Sequence, residues 1–276
     1  MKSARQRPRN FSGFTLVELL VTVAILLGLA AIAGTSAQML IERARIVESS
    51  ANLRSLAIAN ATYVADHGCY YPAYDQFNNR RWHGSRSSAG AKFDPTSGFL
   101  SPYLGKSMRV TACPLFTAIV TGSSSFEDGS GGYGYNSAYI AGEGFNSAYI
   151  GGRPGGAIHP QTKILISEST ANVPNPGRTI MFTTAAYALP GGLQESAECM
   201  PRFPDYGSGP VGTKLSPTVH FRAGGRALVA WCDGSVTAEL KTLSSPGSNP
   251  HGGDAEKWNL GWCGPEENNG WWNPRN

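Results

Sequence analysis

One carboxylate, Glu18, sits inside a long apolar run. From Phe14 to Ala33 the residues are apolar or small except for Glu18 and two threonines. A charge at that depth in a membrane helix is expensive, so it marks a function. Elsewhere the residues that could do chemistry are scattered. Histidines stand at 67, 83, 159, 220 and 251, none in an H-E-x-x-H or other metal-ligand spacing. No G-x-S-x-G nucleophile motif and no Walker A motif occurs. Cys69, Cys113, Cys199, Cys232 and Cys263 form no C-x-x-C pair, which argues against zinc and thioredoxin-like chemistry. Catalysis is therefore not expected. Hard oxygen donors gather toward the C-terminus, where Asp233, Asp254 and Glu256 lie in or near a Gly-rich region. Calcium is the one cofactor they suggest. No EF-hand loop is present, and acidic residues in such loops are more often simply solvated.

The element that carries Glu18 is about as long as the ~20 residues a helix needs to cross a bilayer. Before it, Met1 to Gly13 carries Lys2, Arg5, Arg7 and Arg9 and no acidic residue. By the positive-inside rule this leader stays cytoplasmic, which places the rest of the chain outside the inner membrane. An ordinary secretory signal has its small-residue cleavage site after an apolar core of roughly 7–15 residues. Here the motif-like point, Gly13/Phe14, comes before the apolar core. Gly28, Ala30, Ala31 and Gly34 would let helices approach closely. The helix is expected to continue through Gln38 to Ala65, which contains no Gly or Pro. Ile46, Leu53, Leu56, Ala57 and Val64 fall near helical spacing and predict one buried face. Asp66-His67-Gly68 ends the element, with Gly68 as its cap.

The string Gly13-Phe14-Thr15-Leu16-Val17-Glu18-Leu19-Leu20 after a basic leader resembles the processing site of type IV prepilins and type II secretion pseudopilins. The resemblance implies a membrane aspartyl peptidase that cuts after Gly13 and methylates the new amine on Phe14. Glycine suits the site physically, since a peptidase needs an extended, unobstructed backbone. It also implies that Glu18 pairs with the Phe14 amine of a neighbouring subunit inside a filament. Such a pair sets register more than it adds stability, because the unpaired alternative is so poor.

A second segment, Val219 to Val236, resembles the C-terminal motif of a large group of prepilin-like proteins, a His, nine residues, then Asp-Gly. Gly224-Gly225 and Asp233-Gly234 match it. The histidine position falls on Ala223, and His220 comes three residues early. Gly224-Gly225 suits a turn, Ala227–Cys232 a core strand, and Asp233-Gly234 the next turn.

The formal net charge is +4, and the leader supplies four positive charges. Without it Lys+Arg falls from 23 to 19, equal to the 19 Asp+Glu, so no nucleic-acid partner is expected. Arg80-Arg81 is read as a solvated pair. With 34 glycines and 18 prolines, the region beyond the helix is expected to be loop-rich with short strands. Strands are predicted at Lys163–Ser167, Thr179–Thr184 and Ala227–Cys232, with a short one at Arg109–Pro114. Phe99 to Leu104 reads as a turn or short helical segment. A ten-residue duplication, Tyr135–Gly142 and Phe145–Gly152, reads as a hairpin or loop pair. An oxidising compartment predicts at least one disulfide, with Cys232 left free in a core strand. Trp258, Trp262, Trp271 and Trp272 are read as tying the tail to the core, with a sugar-binding platform as the alternative.

The expected architecture is α+β and pilin-like, a long N-terminal helix packed on a C-terminal antiparallel sheet. Residues 1–13 form the leader, 14–35 the transmembrane and filament-core helix, and 36–276 the extracytoplasmic domain. The expected function is assembly into a pilus-like or pseudopilus filament, with other subunits, the prepilin peptidase and the inner membrane as partners. A surface adhesin exported by the same route is the alternative.

Overall fold

The computed structural model describes residues 13–68, 70–71, 75, 78–88, 90–120, 128–137, 139–140, 173–202, 216–247, 249 and 251–274. The chain divides into two units between Ala44 and Arg45.

A single helix, α1 (Leu16–His67), crosses that division. From Leu16 to Ile32 it is apolar or small on every side except at Glu18 and Thr22. Leu16, Leu19, Leu20, Leu26, Leu27 and Ile32 each expose more than half of their surface. The helix is long and apolar enough to cross a membrane. A helix that is apolar all round belongs in lipid or among other helices.

In the second unit α1 becomes amphipathic. Ser49, Leu53, Leu56, Ala57, Asn60 and Val64 are buried, while Val47 and Ile58 face outward. The predicted face is therefore the buried one, and two polar residues share it. The helix stops where Gly68 takes φ +72°, and its N–H donates to the Val64 carbonyl at 2.8 Å. This is the left-handed cap that a residue without Cβ adopts at no steric cost.

The sheet has six strands, all neighbours antiparallel. In chain order they are β3 (Tyr133–Tyr135), β4 (Ile180–Thr184), β7 (Val219–His220), β8 (Arg226–Trp231), β9 (Val236–Leu243) and β10 (Leu260–Cys263). Their spatial order is β3-β4-β8-β9-β10-β7. Two small hairpins lie outside it, β1 (Arg80–Arg81) with β2 (Gly84–Ser85), and β5 (Tyr187–Leu189) with β6 (Gly192–Gln194). Strand β4 is buried throughout, and so is β8 beyond Arg226. That explains their continuous apolar runs, since a strand covered on both faces shows no alternation. Aromatic rings join the pieces of the core. Tyr71 stacks on Tyr135 at 4.3 Å, and Phe182 meets both Tyr135 and Trp82 at 5.2 Å.

This is the expected α+β, pilin-like arrangement of a long helix with an antiparallel sheet domain. The predicted strands at 179–184 and 227–232 are β4 and β8, and the Asp233-Gly234 turn joins β8 to β9. The segment Ser101–Tyr103 forms a 3-10 turn, as expected. The predicted strand Lys163–Ser167 and the second copy of the duplication lie outside the described residues.

Three expectations need correction. Val110–Cys113 is irregular, and Pro114–Thr117 is a single helical turn, α2. Pro114 has no N–H for a ladder, and its fixed φ suits the first helical position. Of Arg80 and Arg81, expected as a solvated pair, Arg80 is exposed and Arg81 is buried. The Arg81 guanidinium lies 5.4 Å from the Phe93 ring centroid and its residue is buried. The Arg80 guanidinium lies 4.6 Å from that of Phe99, and its Nε donates to the Ser97 carbonyl at 3.0 Å. Third, Cys113, Cys199, Cys232 and Cys263 are buried thiols with no bridge, and Cys69 lies outside the described residues. Each thiol is packed into the core as a small apolar group. The tryptophan tail is tied to the core, as expected, and offers no open aromatic platform. Trp262 and Trp272 are buried, and Trp258 and Trp271 pack partly against the core. The indole N–H of Trp262 donates to the Met200 carbonyl, and that of Trp272 to the Cys199 carbonyl, both at 3.1 Å.

Candidate functional site

The residues singled out at the N-terminus lie at the start of α1. Gly13, Phe14 and Thr15 precede the helix, and Phe14 is 82% exposed. Space around Gly13 is open, with nothing within 4 Å of where a Cβ would stand. The Thr15 carbonyl accepts the first intrahelical bond, from the Leu19 N–H at 3.2 Å. Thr15 is thus the N-cap.

Glu18 completes the cap. Its N–H donates to Thr15 Oγ1 at 3.2 Å. Its carboxylate accepts from the Thr15 backbone N–H at 2.9 Å and from the Thr15 hydroxyl at 2.8 Å. This is a reciprocal capping box, in which two residues three apart satisfy each other's orphan donors. It gives the apolar run its starting point and gives the carboxylate local partners within its own chain. Thr15 was missed in reading the sequence. Its signal in the sequence is the T-x-x-E spacing from Thr15 to Glu18.

The C-terminal motif builds a scaffold of two hairpins. Ala223 and Arg226 exchange backbone hydrogen bonds at 2.9 and 3.1 Å across Gly224-Gly225. Both glycines take positive φ, +59° and +80°, as a two-residue hairpin turn of primed type requires. Ala223, at the position of the expected histidine, is 5% exposed. His220 lies in the edge strand β7, buried, and does not take that place. Its Nδ1 accepts from Arg222 at 3.0 Å. Burial and the adjacent guanidinium push the His220 imidazole down to about 2. Arg222 also donates to the Gly132 carbonyl and lies 4.7 Å from the Phe116 ring centroid. The His-Phe-Arg stretch therefore fastens the edge strand to β3 and α2. No spacing rule would have found Arg222.

The three acidic candidates do separate local work. Asp233 Oδ1 accepts from the Ser235 N–H at 2.8 Å and its hydroxyl at 2.7 Å. Asp254 Oδ1 accepts from the N–H groups of Glu256 and Lys257. Glu256 pairs with Lys241 at 3.3 Å. Among the described residues no three His, Cys, Asp or Glu side chains come together to hold a metal. The expectation of one calcium site from Asp233, Asp254 and Glu256 has no such cluster to rest on.

Residues 8–34 match the family model of the prokaryotic N-terminal methylation motif. The matched stretch contains Gly13, Phe14, Thr15 and Glu18 together. The chain carries a type IV prepilin signature. No curated protein and no solved structure matches the chain. A prepilin signature goes with structural subunits rather than enzymes. Together with the apolar, exposed first part of α1, it fits a membrane-anchored precursor.

Proposed function

We propose that the chain is a structural subunit of a pilus-like or type II secretion pseudopilus filament. The observation that carries this reading is a carboxylate, Glu18, inside a matched methylation motif at the head of an exposed apolar helix. In this reading the prepilin peptidase removes residues 1–13 after Gly13 and the new amine of Phe14 is methylated. Residues 14–35 anchor the subunit in the inner membrane in a single pass, and residues 36–276 stand outside the cytoplasm. On assembly the helices leave lipid for one another, and the Phe14 ammonium of one subunit meets Glu18 of the next. Both charges then sit in low dielectric, where each needs the other. The domain has no catalytic role. The glycan-binding alternative loses its main support, because the tail tryptophans are engaged in the core.

The test is Glu18→Val in the full chain. Membrane insertion should persist, since apolar content rises, while the yield of sheared filaments falls sharply. A normal filament yield would show that Glu18 does not set the register between subunits.

A further inference from the structure

We infer that Thr15 is a positioning residue for cleavage, holding the Gly13–Phe14 peptide outside the helix as an extended strand. The inference rests on the processing reading above. A peptidase must reach both faces of the bond it cuts, and a peptide wound into a helix hides its N–H and C=O in the i to i−4 ladder. An apolar segment entering a membrane tends to extend its helix, because unpaired backbone groups are costly there. Something must therefore stop α1 from winding back through Phe14 and Gly13.

The stop is the Thr15–Glu18 box. Thr15 holds the orphan N–H of Glu18 on its hydroxyl and gives its own N–H to the Glu18 carboxylate. Both bonds exist only if Thr15 has N-cap geometry, which is not helical. Phe14 and Gly13 are then kept off the ladder, and both stand open in the structure, Phe14 largely exposed and Gly13 without neighbours. Glu18 serves twice in sequence. Before assembly its carboxylate is solvated by Thr15, and afterwards it is available to a neighbouring amine. The two residues thus separate by role, Thr15 acting on cleavage and Glu18 on cleavage and assembly both.

The experiment uses the full-length precursor in detergent with a prepilin peptidase, comparing Thr15→Val and Thr15→Asn with the unaltered chain. Valine keeps the shape and removes the cap. Asparagine differs in shape and restores capping. Loss of an N-cap shifts the helix-start equilibrium by roughly two- to thirtyfold. Because only the extended fraction is competent, KM should rise by up to that factor with kcat nearly unchanged. Thr15→Asn should return KM close to its original value. Cleavage of Thr15→Val at the normal KM, or a Thr15→Asn variant as poor as Thr15→Val, would overturn the inference. Failure of the unaltered chain to be cut after Gly13 would overturn the processing reading beneath it as well.

Discussion

Tyr135 stacks on Tyr71 with ring centroids 4.3 Å apart, both rings fully buried. Tyr71 follows the end of α1 closely, and Tyr135 ends β3, so one ring pair ties the helix exit to the edge of the sheet. Phe182 of β4 and then Trp82 of the β1–β2 hairpin extend the row. This domain is rich in loops, and the row of rings replaces the regular layers that a larger sheet would supply.

Truncation of that pair should therefore unsettle the whole domain. Tyr135→Ala removes a ring from a closed site, and such large-to-small changes cost about 3–5 kcal/mol. Urea unfolding followed by tryptophan fluorescence should show a midpoint shifted well down. A shift no larger than that of an exposed control, Leu240→Ala, would mean the row does not hold the domain together.

Acid should destabilise the fold through two histidines. His83 is fully buried with neither ring nitrogen hydrogen-bonded among the described residues, and burial followed by Arg81 and Arg86 holds its imidazole well below its usual range. His220 is pushed down to about 2 by burial and Arg222. For both, the folded group resists protonation while the unfolded one takes a proton below about 6.5, so stability falls as pH drops from there. Glu195 works in the opposite direction. Burial raises its carboxyl, which favours the fold where the folded group holds a proton and the unfolded one does not. The decline is thus gentler than two histidines alone would give. In His83→Phe a ring of similar shape replaces an unpaired polar group, which tends to be neutral or stabilising. Unfolding measured from pH 7 to pH 4.5 should show a shallower decline in that variant. An unchanged slope would remove His83 from the account.

How much of this was legible in the sequence depends on range. The buried face of α1, its Gly68 stop and the Asp233-Gly234 hairpin were readable, because each is decided within a few residues by periodicity or turn chemistry. The order of the sheet was not. Tyr135 and Ile180 belong to adjacent strands, and β7 closes the sheet beside β10 rather than beside β8. No local pattern reports such pairings. The burial of Arg81 was not legible for the same reason, since its partner Phe93 lies a dozen residues away. The thiols misled differently. The compartment argued for a bridge, and packing in the core decided against it for the four described cysteines.

Those thiols give a sharp chemical expectation. Burial pushes Cys199 and Cys232 up to about 12, and Cys263 is raised as well. A thiol that is neither ionised nor reachable does not react. Native, non-reduced protein should leave Cys113, Cys199, Cys232 and Cys263 unlabelled by maleimide, and denaturation without reductant should expose all four. Peptide mapping that finds any of the four in a disulfide would contradict the structure directly.

The account stands most directly on the N-terminus of the mature chain. Intact-mass and peptide mass spectrometry of protein isolated from the membrane, with its peptidase present, reads it in one experiment. The expected result is a chain that begins at Phe14 and carries one methyl group on its amine. A chain that still begins at Met1, or one cut beyond the apolar segment so that α1 loses its first half, would contradict it.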